Sequence, residues 1–352
     1  MRRGSLWVWR VAADTPTNRI KKPTITDVAR LANVSVGTVS HVLNGTINVS
    51  TALRERVDRA MAMLGYEQNM LAHAQRRQRV PVVGLSAPHV ASAYLAALTD
   101  SFEDIAGLRG YQMMQVLTRR DPQTELRRVR ELLRHRIAGL LMVSTYDPRR
   151  TLDLLYDAGM PAVLVDRPCD DDRFDQVTFD NRAVMDEAVR RLRRLGHRRF
   201  LFVVESQVLS ISRHRIEALR ARAGTAATVV MEVGDGGENY ARRLSGTLKA
   251  RHAPTAVIVS NSLIAVRTLH VLRTLDSLYP EHISLLAFEA PQWAELVDPG
   301  LSVIRQPVGE IVRVAWDLLL RRMGGDTGPA QHVQLQAQLV LRGSVRKAPS
   351  HR

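Results

Sequence analysis

The sequence predicts an all-α module of three short helices followed by an α/β core of two doubly wound parallel-sheet subdomains. Three observations lead there. Residues 24–80 carry helical patterns with no strand between them. From Pro81 onward, short β-branched runs alternate with amphipathic helical patterns, the signature of a parallel sheet with right-handed crossovers. The length, 352 residues, allows two or three domains with large cores.

The helical module can be justified residue by residue. Thr24 followed by Asp27 reads as a capping box opening a helix over 25–31. Ala32, Asn33 and Val34 make a tight turn, after which Ser35 caps a second helix reaching Leu43, with Val36, Val39, Val42 and Leu43 near helical spacing. Residues 44–49 form a loop, Ser50 caps a third helix over 51–64, and Gly65 ends it. Three such helices around a small apolar core of Val28, Ala29, Val39 and Val42 make a helix-turn-helix module. In the core, strands are expected at 82–86, 111–117, 139–143, 162–166, 177–179, 200–204, 229–233, 256–259 and 283–288, with helices such as 122–134, 181–195 and 263–275 between them. A doubly wound sheet puts its ligand cleft at the carboxyl ends of its strands.

Charge and cysteine content narrow the chemistry. The net charge is +15, and residues 1–80 carry 13 Lys+Arg against 5 Asp+Glu, a net of +8, while residues 81–352 carry 37 against 30, a net of +7. The first part is therefore several-fold more basic per residue, as a polyanion-binding segment would be, although 46 Arg against 4 Lys also fits a base-composition bias. One cysteine, Cys169, excludes an internal disulfide framework and a multi-thiolate zinc site, and points to a reducing cytoplasm. No apolar run approaches the ~18 residues a bilayer span needs, so no membrane association is expected. Residues 1–22 read as a disordered extension or a mis-assigned start, since Arg10 cuts the apolar run from Leu6 to Trp9 too short for a signal peptide.

An enzyme is disfavoured. Gly234-Asp235-Gly236-Gly237-Glu238-Asn239 lacks the third glycine of a nucleotide fingerprint, no phosphate-loop or nucleophile-elbow motif is present, and the histidines have no metal-ligand spacing. Cys169, beside Asp170 to Asp172, should have a raised thiol pKa, the wrong direction for a nucleophile. No cofactor and no metal are expected.

Between residues 24 and 75 several motifs agree in order and spacing: Thr24-Ile25-Thr26-Asp27-Val28-Ala29, then Val34-Ser35-Val36-Gly37-Thr38-Val39-Ser40-His41-Val42-Leu43-Asn44-Gly45, then Val49-Ser50 and Leu64-Gly65-Tyr66. They resemble the headpiece of the lactose-repressor (LacI) family of transcription regulators. The resemblance implies base readers at Val36, Gly37 and His41, with Thr24, Ser35, Thr38, Ser40, Asn44 and Ser50 at phosphate-contacting or capping positions. For Ser35 and Ser50 a plain N-cap is an equal and compatible reading. Val36 offers only apolar contact, Gly37 no side chain, and His41, where many members carry Arg, can donate to guanine. The resemblance extends to a hinge segment contacting DNA through Asn69, Ala72, His73, Gln75 and Arg76; Gln75 occupies the family's wedge-leucine position and Gln68 that of its proline.

Similar strings continue to Leu341, among them Val165-Asp166-Arg167-Pro168, Phe179-Asp180-Asn181 and Leu195-Gly196-His197-Arg198-Arg199. The resemblance implies a bilobal, periplasmic-binding-protein-like core holding a small-molecule effector, commonly a sugar in the family, in a homodimer that binds a near-palindromic double-stranded DNA operator. Carried over position by position, the ligand residues are His89, Ser92, Tyr94, Asp166, Arg215, Asn261 and Glu289. Arg215 matches the family's main ligand arginine, against the alternative of a surface arginine, and Asp166 reads equally as a hydroxyl acceptor or a turn cap. His89, Ser92, Ser262 beside Asn261, and Glu289 depart from the family's usual Asp, Asn, Asp and Asp. The organisation implied is a headpiece at 23–68, a hinge segment at 69–80, a core at 81–342 and a tail at 343–352, and the function a repressor; the alternative is a soluble sugar-binding protein with a non-functional headpiece.

Overall fold

The computed structural model describes residues 23–44, 50–64, 80–234, 237–275 and 279–349. The chain divides into two compact units between Arg76 and Arg77. In the first, α1 (Ile25–Ala32), α2 (Val36–Asn44) and α3 (Thr51–Leu64) follow the capping signals. The Thr24 N–H and hydroxyl both donate to Asp27 Oδ2, at 2.9 and 2.6 Å, and the Thr38 N–H donates to Ser35 Oγ at 3.0 Å. Asn33 takes a left-handed φ of 51° to end α1. Arg56 on α3 reaches back to the Ala32 and Asn33 carbonyls, at 2.6 and 3.1 Å, satisfying helix-end acceptors that no local residue serves. Val28, Ala29, Ala32, Val39, Val42, Val57 and Ala60 form the core of this unit.

The second unit contains two six-stranded sheets. The first lobe runs β1 (Val82–Ala87), α4 (Ala93–Leu108), β2 (Gln112–Leu117), α5 (Pro122–Arg134), β3 (Gly139–Met142), α6 (Arg149–Asp157), β4 (Ala162–Val165) and β5 (Asp175–Phe179). The chain then crosses to the second lobe with α7 (Asn181–Arg194), β6 (Phe200–Val204), α8 (Ser210–Ala223), β7 (Thr228–Glu232), α9 (Gly237–Lys249), β8 (Ala256–Val259), α10 (Ser262–Arg273), β9 (Ser284–Phe288) and β10 (Ser302–Arg305). It returns to the first lobe for α11 (Val308–Met323) and β11 (His332–Leu335), then crosses a third time to place β12 (Gln338–Val340) on the second sheet. The strand orders are β2-β1-β3-β4-β5-β11 and β7-β6-β8-β9-β10-β12, all parallel except β12 against β10. Both lobes therefore have the same winding, although the sequence shows no repeat.

Strand pleating sorts the apolar residues. Val83, Leu85, Phe200 and Phe202 face one cluster that continues through both lobes beneath α4, α7 and α11. Alternate residues face separate clusters, Leu140 and Met142 under α5 and α6, and Leu201 and Val203 under α9 and α10. Gly139 lets β3 approach α11 closely: a Cβ there would lie 2.7 Å from Met323 Sδ and 2.9 Å from Leu319 Cδ1.

All nine strands expected from the sequence are present within two residues of their predicted ends. Three more, β10, β11 and β12, were not among the expected strands; β11 and β12 are edge strands of four and three residues that carry exposed polar residues, His332 and Gln334 on the first and Gln338 on the second. The expected tail is, through Ala348, a structural part of the second lobe. Ser344 Oγ accepts the Ser302 N–H and donates to the Leu285 carbonyl, both at 2.7 Å, and the Ala348 N–H donates to the Leu195 carbonyl at 2.7 Å. A short polar stretch is thus drawn in by backbone groups that would otherwise be buried without partners.

Candidate ligand cleft and nucleic-acid interface

In the helical unit, Val36 is 41% exposed although apolar, and Gly37 and Ser35 beside it are also exposed at the first turn of α2. Ser35 caps the helix and shares a 2.8 Å hydrogen bond with the Thr38 hydroxyl, while Thr24 is engaged by Asp27. The side chains of Ser40, His41 and Asn44 lie outside the described part of α2, and Ser50 leads into α3, its carbonyl accepting the Leu53 and Arg54 N–H groups. Asn69, Ala72, His73, Gln75 and Arg76 lie outside the described residues. What is described is a short helix with an exposed, uncharged first turn and a buried opposite face of Val39 and Val42.

The seven residues His89, Ser92, Tyr94, Asp166, Arg215, Asn261 and Glu289 all line one cavity. It lies where the loops after β1, β4, β6, β8, β9 and β10 converge, at the carboxyl ends of the strands and beside the β1/β3 and β6/β8 switch points of the two sheets. The lobes present matching acids: Asp166 follows β4 and Glu289 follows β9, each buried and each in the left-handed region, with φ of 72° and 74°. Their N–H groups bond to equivalent neighbouring strands, at Val177 and Ile304. This strained backbone turns each carboxyl away from its sheet and toward the cavity.

Arg215 is 2% exposed rather than a surface arginine. Its Nε donates to Asn181 Oδ1 at 2.6 Å and its Nη1 to the Ser260 carbonyl at 3.2 Å, while the guanidinium lies 3.6 Å over the Phe288 ring. Burial pulls its pKa down to about 10, opposed by Asp166 and Glu289, so it remains a cation. Burial raises Asp166, against the pull of Arg167 and Arg215, and raises Glu289, against hydrogen bonds from Ser262. The Ser262 N–H donates to Glu289 Oε2 at 3.0 Å and its hydroxyl at 2.5 Å. Ser92 and Asn261 cap α4 and α10 by accepting the Leu95 and Ile264 N–H groups, at 3.3 and 2.9 Å. His89 is lowered to about 4, first by burial and then by Arg120 and Arg167, and is neutral at pH 7. Tyr94 is raised by burial and by the neighbouring Asp166.

Sequence reasoning missed Arg167, Glu205, Ser260 and Gln306, which also line the cavity. Arg167, next to Asp166, and Ser260, next to Asn261, had a local signal. Arg167 is buried, and its Nη1 donates to the Ser144 carbonyl at 2.7 Å. Among the described residues, His89 Nδ1, Arg167 Nε and Ser260 Oγ have no hydrogen-bond partner, so the cavity offers unsatisfied polar groups to whatever fills it. No group of His, Cys, Asp and Glu suited to a metal occurs among the described residues. Burial, then Asp171 and Asp170, pushes the Cys169 thiol up to about 11, and no helix among the described residues is long and apolar enough to cross a membrane.

Behind Arg167, fully buried Glu125 accepts the Thr145 N–H at 2.7 Å and its hydroxyl at 3.1 Å. Burial raises Glu125 to about 7, only partly opposed by those bonds. Its folded-state pKa lies above the ordinary 4.5, so the folded chain holds a proton that the unfolded chain releases. The resulting stability is fully present below pH 4.5 and is lost as pH rises through 7. Glu125→Gln is expected to flatten this slope, raising stability at pH 8 by about 2 to 3 kcal/mol. Urea denaturation at pH 5 and pH 8 reads the change, and an unaltered slope would refute the assignment.

Residues 24–69 match the family of bacterial regulatory proteins, lacI family, and residues 189–345 match the periplasmic binding protein-like domain. The chain is 30% identical over 331 residues to the ribose operon repressor of Escherichia coli strain K12, covering 91% of this chain and 99% of that protein. It is 27% identical over 337 residues to the HTH-type transcriptional regulator PtxS of Pseudomonas putida, covering 95% and 99%. Among solved structures, the lac repressor dimer bound to operator and the anti-inducer ONPF aligns with a TM-score of 0.80 at 21% identity, covering 93% of this chain and 100% of that one. The cellobiose complex of the transcriptional regulator CelR aligns with a TM-score of 0.67 at 26% identity, covering 92% and 99%.

Proposed function

The chain belongs to the LacI family of bacterial regulatory proteins, and on that premise we propose that it is a cytoplasmic repressor whose headpiece reads a near-palindromic operator as half of a homodimer. In this reading residues 23–68 bind DNA, 69–80 are the hinge segment, and the cleft holds a small-molecule effector. The effector shifts a two-state core, with a coupling to DNA affinity of about 1 to 3 kcal/mol. The observation that carries it is the convergence of seven family-matched positions on one cavity with unpartnered polar atoms. Its two buried acids and buried arginine fit a ligand rich in hydroxyl groups, and the cellobiose held by CelR supports a sugar-like class.

A gel shift with genomic fragments at low and high salt tests the DNA half: a specific complex with steep salt dependence is expected, and its absence would overturn the reading. A thermal-shift panel of sugars, nucleosides and organic acids tests the other half. Base readout by α2 should be sparse, because Val36 and Gly37 offer no hydrogen bonds and His41 is the polar candidate. His41→Ala is therefore expected to relax discrimination at one base pair per half-site by about 1 to 3 kcal/mol. Equal selectivity of variant and parent across a randomised operator would remove His41 from that role.

A further inference from the structure

The two lobes also meet at the mouth of the cleft, through a single ion pair. Arg120 lies in the turn between β2 and α5 on the first lobe, and Glu205 at the carboxyl end of β6 on the second. Among the ion pairs of the described residues, no other joins the lobes. Glu205 lines the cavity, and Arg120 is near enough to His89 to help suppress its protonation. The pair therefore lies at the edge of the cavity.

The backbone that delivers Arg120 is unusual. Arg119 and Arg120 are consecutive non-glycine residues in the left-handed region, with φ of 53° and 64°. Side chains disfavour that region, and glycine would occupy it without strain. The turn is secured on both sides: the Thr118 and Arg119 N–H groups donate to the Ala87 and Pro88 carbonyls at 2.9 and 3.1 Å, and Asp121 caps α5 through the Thr124 N–H at 2.8 Å. A strained conformation held by its surroundings, with a long cation at its apex, points to a use for that cation.

We propose that Arg120 and Glu205 form a latch that holds the cleft closed before any ligand arrives, so that entry and release require the pair to separate. The latch regulates the site proposed above, yet it is measurable without a ligand. Its failure is therefore distinguishable from failure of the effector reading.

The test uses the full chain with Cys169→Ser, spin-labelled at Tyr156→Cys on α6 and Val266→Cys on α10, both exposed, and diluted with unlabelled protein. Pulsed dipolar spectroscopy then reports the interlobe distance. Arg120→Ala and Glu205→Gln are each expected to raise the longer-distance population by about two- to fivefold, the range for a partly exposed pair. The charge-exchanged double variant, Arg120→Glu with Glu205→Arg, should restore the parental distribution. Added 0.5 M salt should mimic Arg120→Ala in the parent and leave that variant unchanged. Unmoved distances in both single variants overturn the latch, as does a shift that the exchange fails to reverse. Circular dichroism confirms that each variant is folded.

Discussion

Val39→Asp is expected to unfold the headpiece and reduce operator binding to the non-specific level, while the core keeps its own melting transition. Val39 is 0% exposed, in a small core that counts seven buried residues among the described ones. A module of this size is stabilised by roughly 3 to 5 kcal/mol, and burying an unpaired carboxylate costs about that much or more. The folded fraction of the headpiece therefore collapses, and apparent affinity falls with it. The loss should be about a thousandfold, the usual margin between specific and non-specific binding. Titration by gel shift measures the affinity, and calorimetry follows the second unit, which has hydrophobic clusters of its own. Retained specific binding would show that the recognition helix does not depend on this core.

The second large effect is at Arg215. Arg215→Ala removes a buried cation that donates to Asn181 and Ser260 and stands between Asp166 and Glu289. Leaving those acids uncompensated should destabilise the core by about 3 to 5 kcal/mol. The sign with pH is also fixed. Asp166 is already raised by burial, and Arg215 is one of the charges that hold it down. Without that cation its folded-state pKa climbs further, so stability in the variant is lost more steeply as pH rises above the unfolded-chain value. Denaturation at pH 5 and pH 8 should show the larger deficit at pH 8. A uniform deficit would mean that the arginine acts through packing on Phe288 and Phe179 rather than through charge.

Much of this architecture was legible because its determinants are local. The headpiece helices begin where Thr24 and Ser35 cap them, and the short apolar runs of β1, β6 and β8 read as buried strands. Arg56 was not legible as a cap, since its acceptors at Ala32 and Asn33 are more than twenty residues away. The cleft positions came from resemblance alone; no local pattern marks Glu205 or Gln306, whose place depends on where β6 and β10 end. The pairing of Asp166 with Glu289 was equally hidden, because Val-Asp-Arg-Pro and Phe-Glu-Ala share nothing but an acid. Arg120 runs against local preference, as its backbone conformation is one that the identity of the residue argues against.

The three crossings between lobes have a consequence for biosynthesis. Neither lobe is a continuous stretch of polypeptide: the first lacks α11 and the edge strand β11 until more than 330 residues have been made, and by then nearly all of the second lobe has also been translated. While the ribosome is still at work, β5 has an open hydrogen-bonding edge and Leu141 and Val163 lack their covering helix, the kind of exposure that favours misassociation. Half-length fragments cut between the lobes should thus be insoluble. The lobes should mature together, late, and with a need for chaperone protection that the early-finished headpiece escapes.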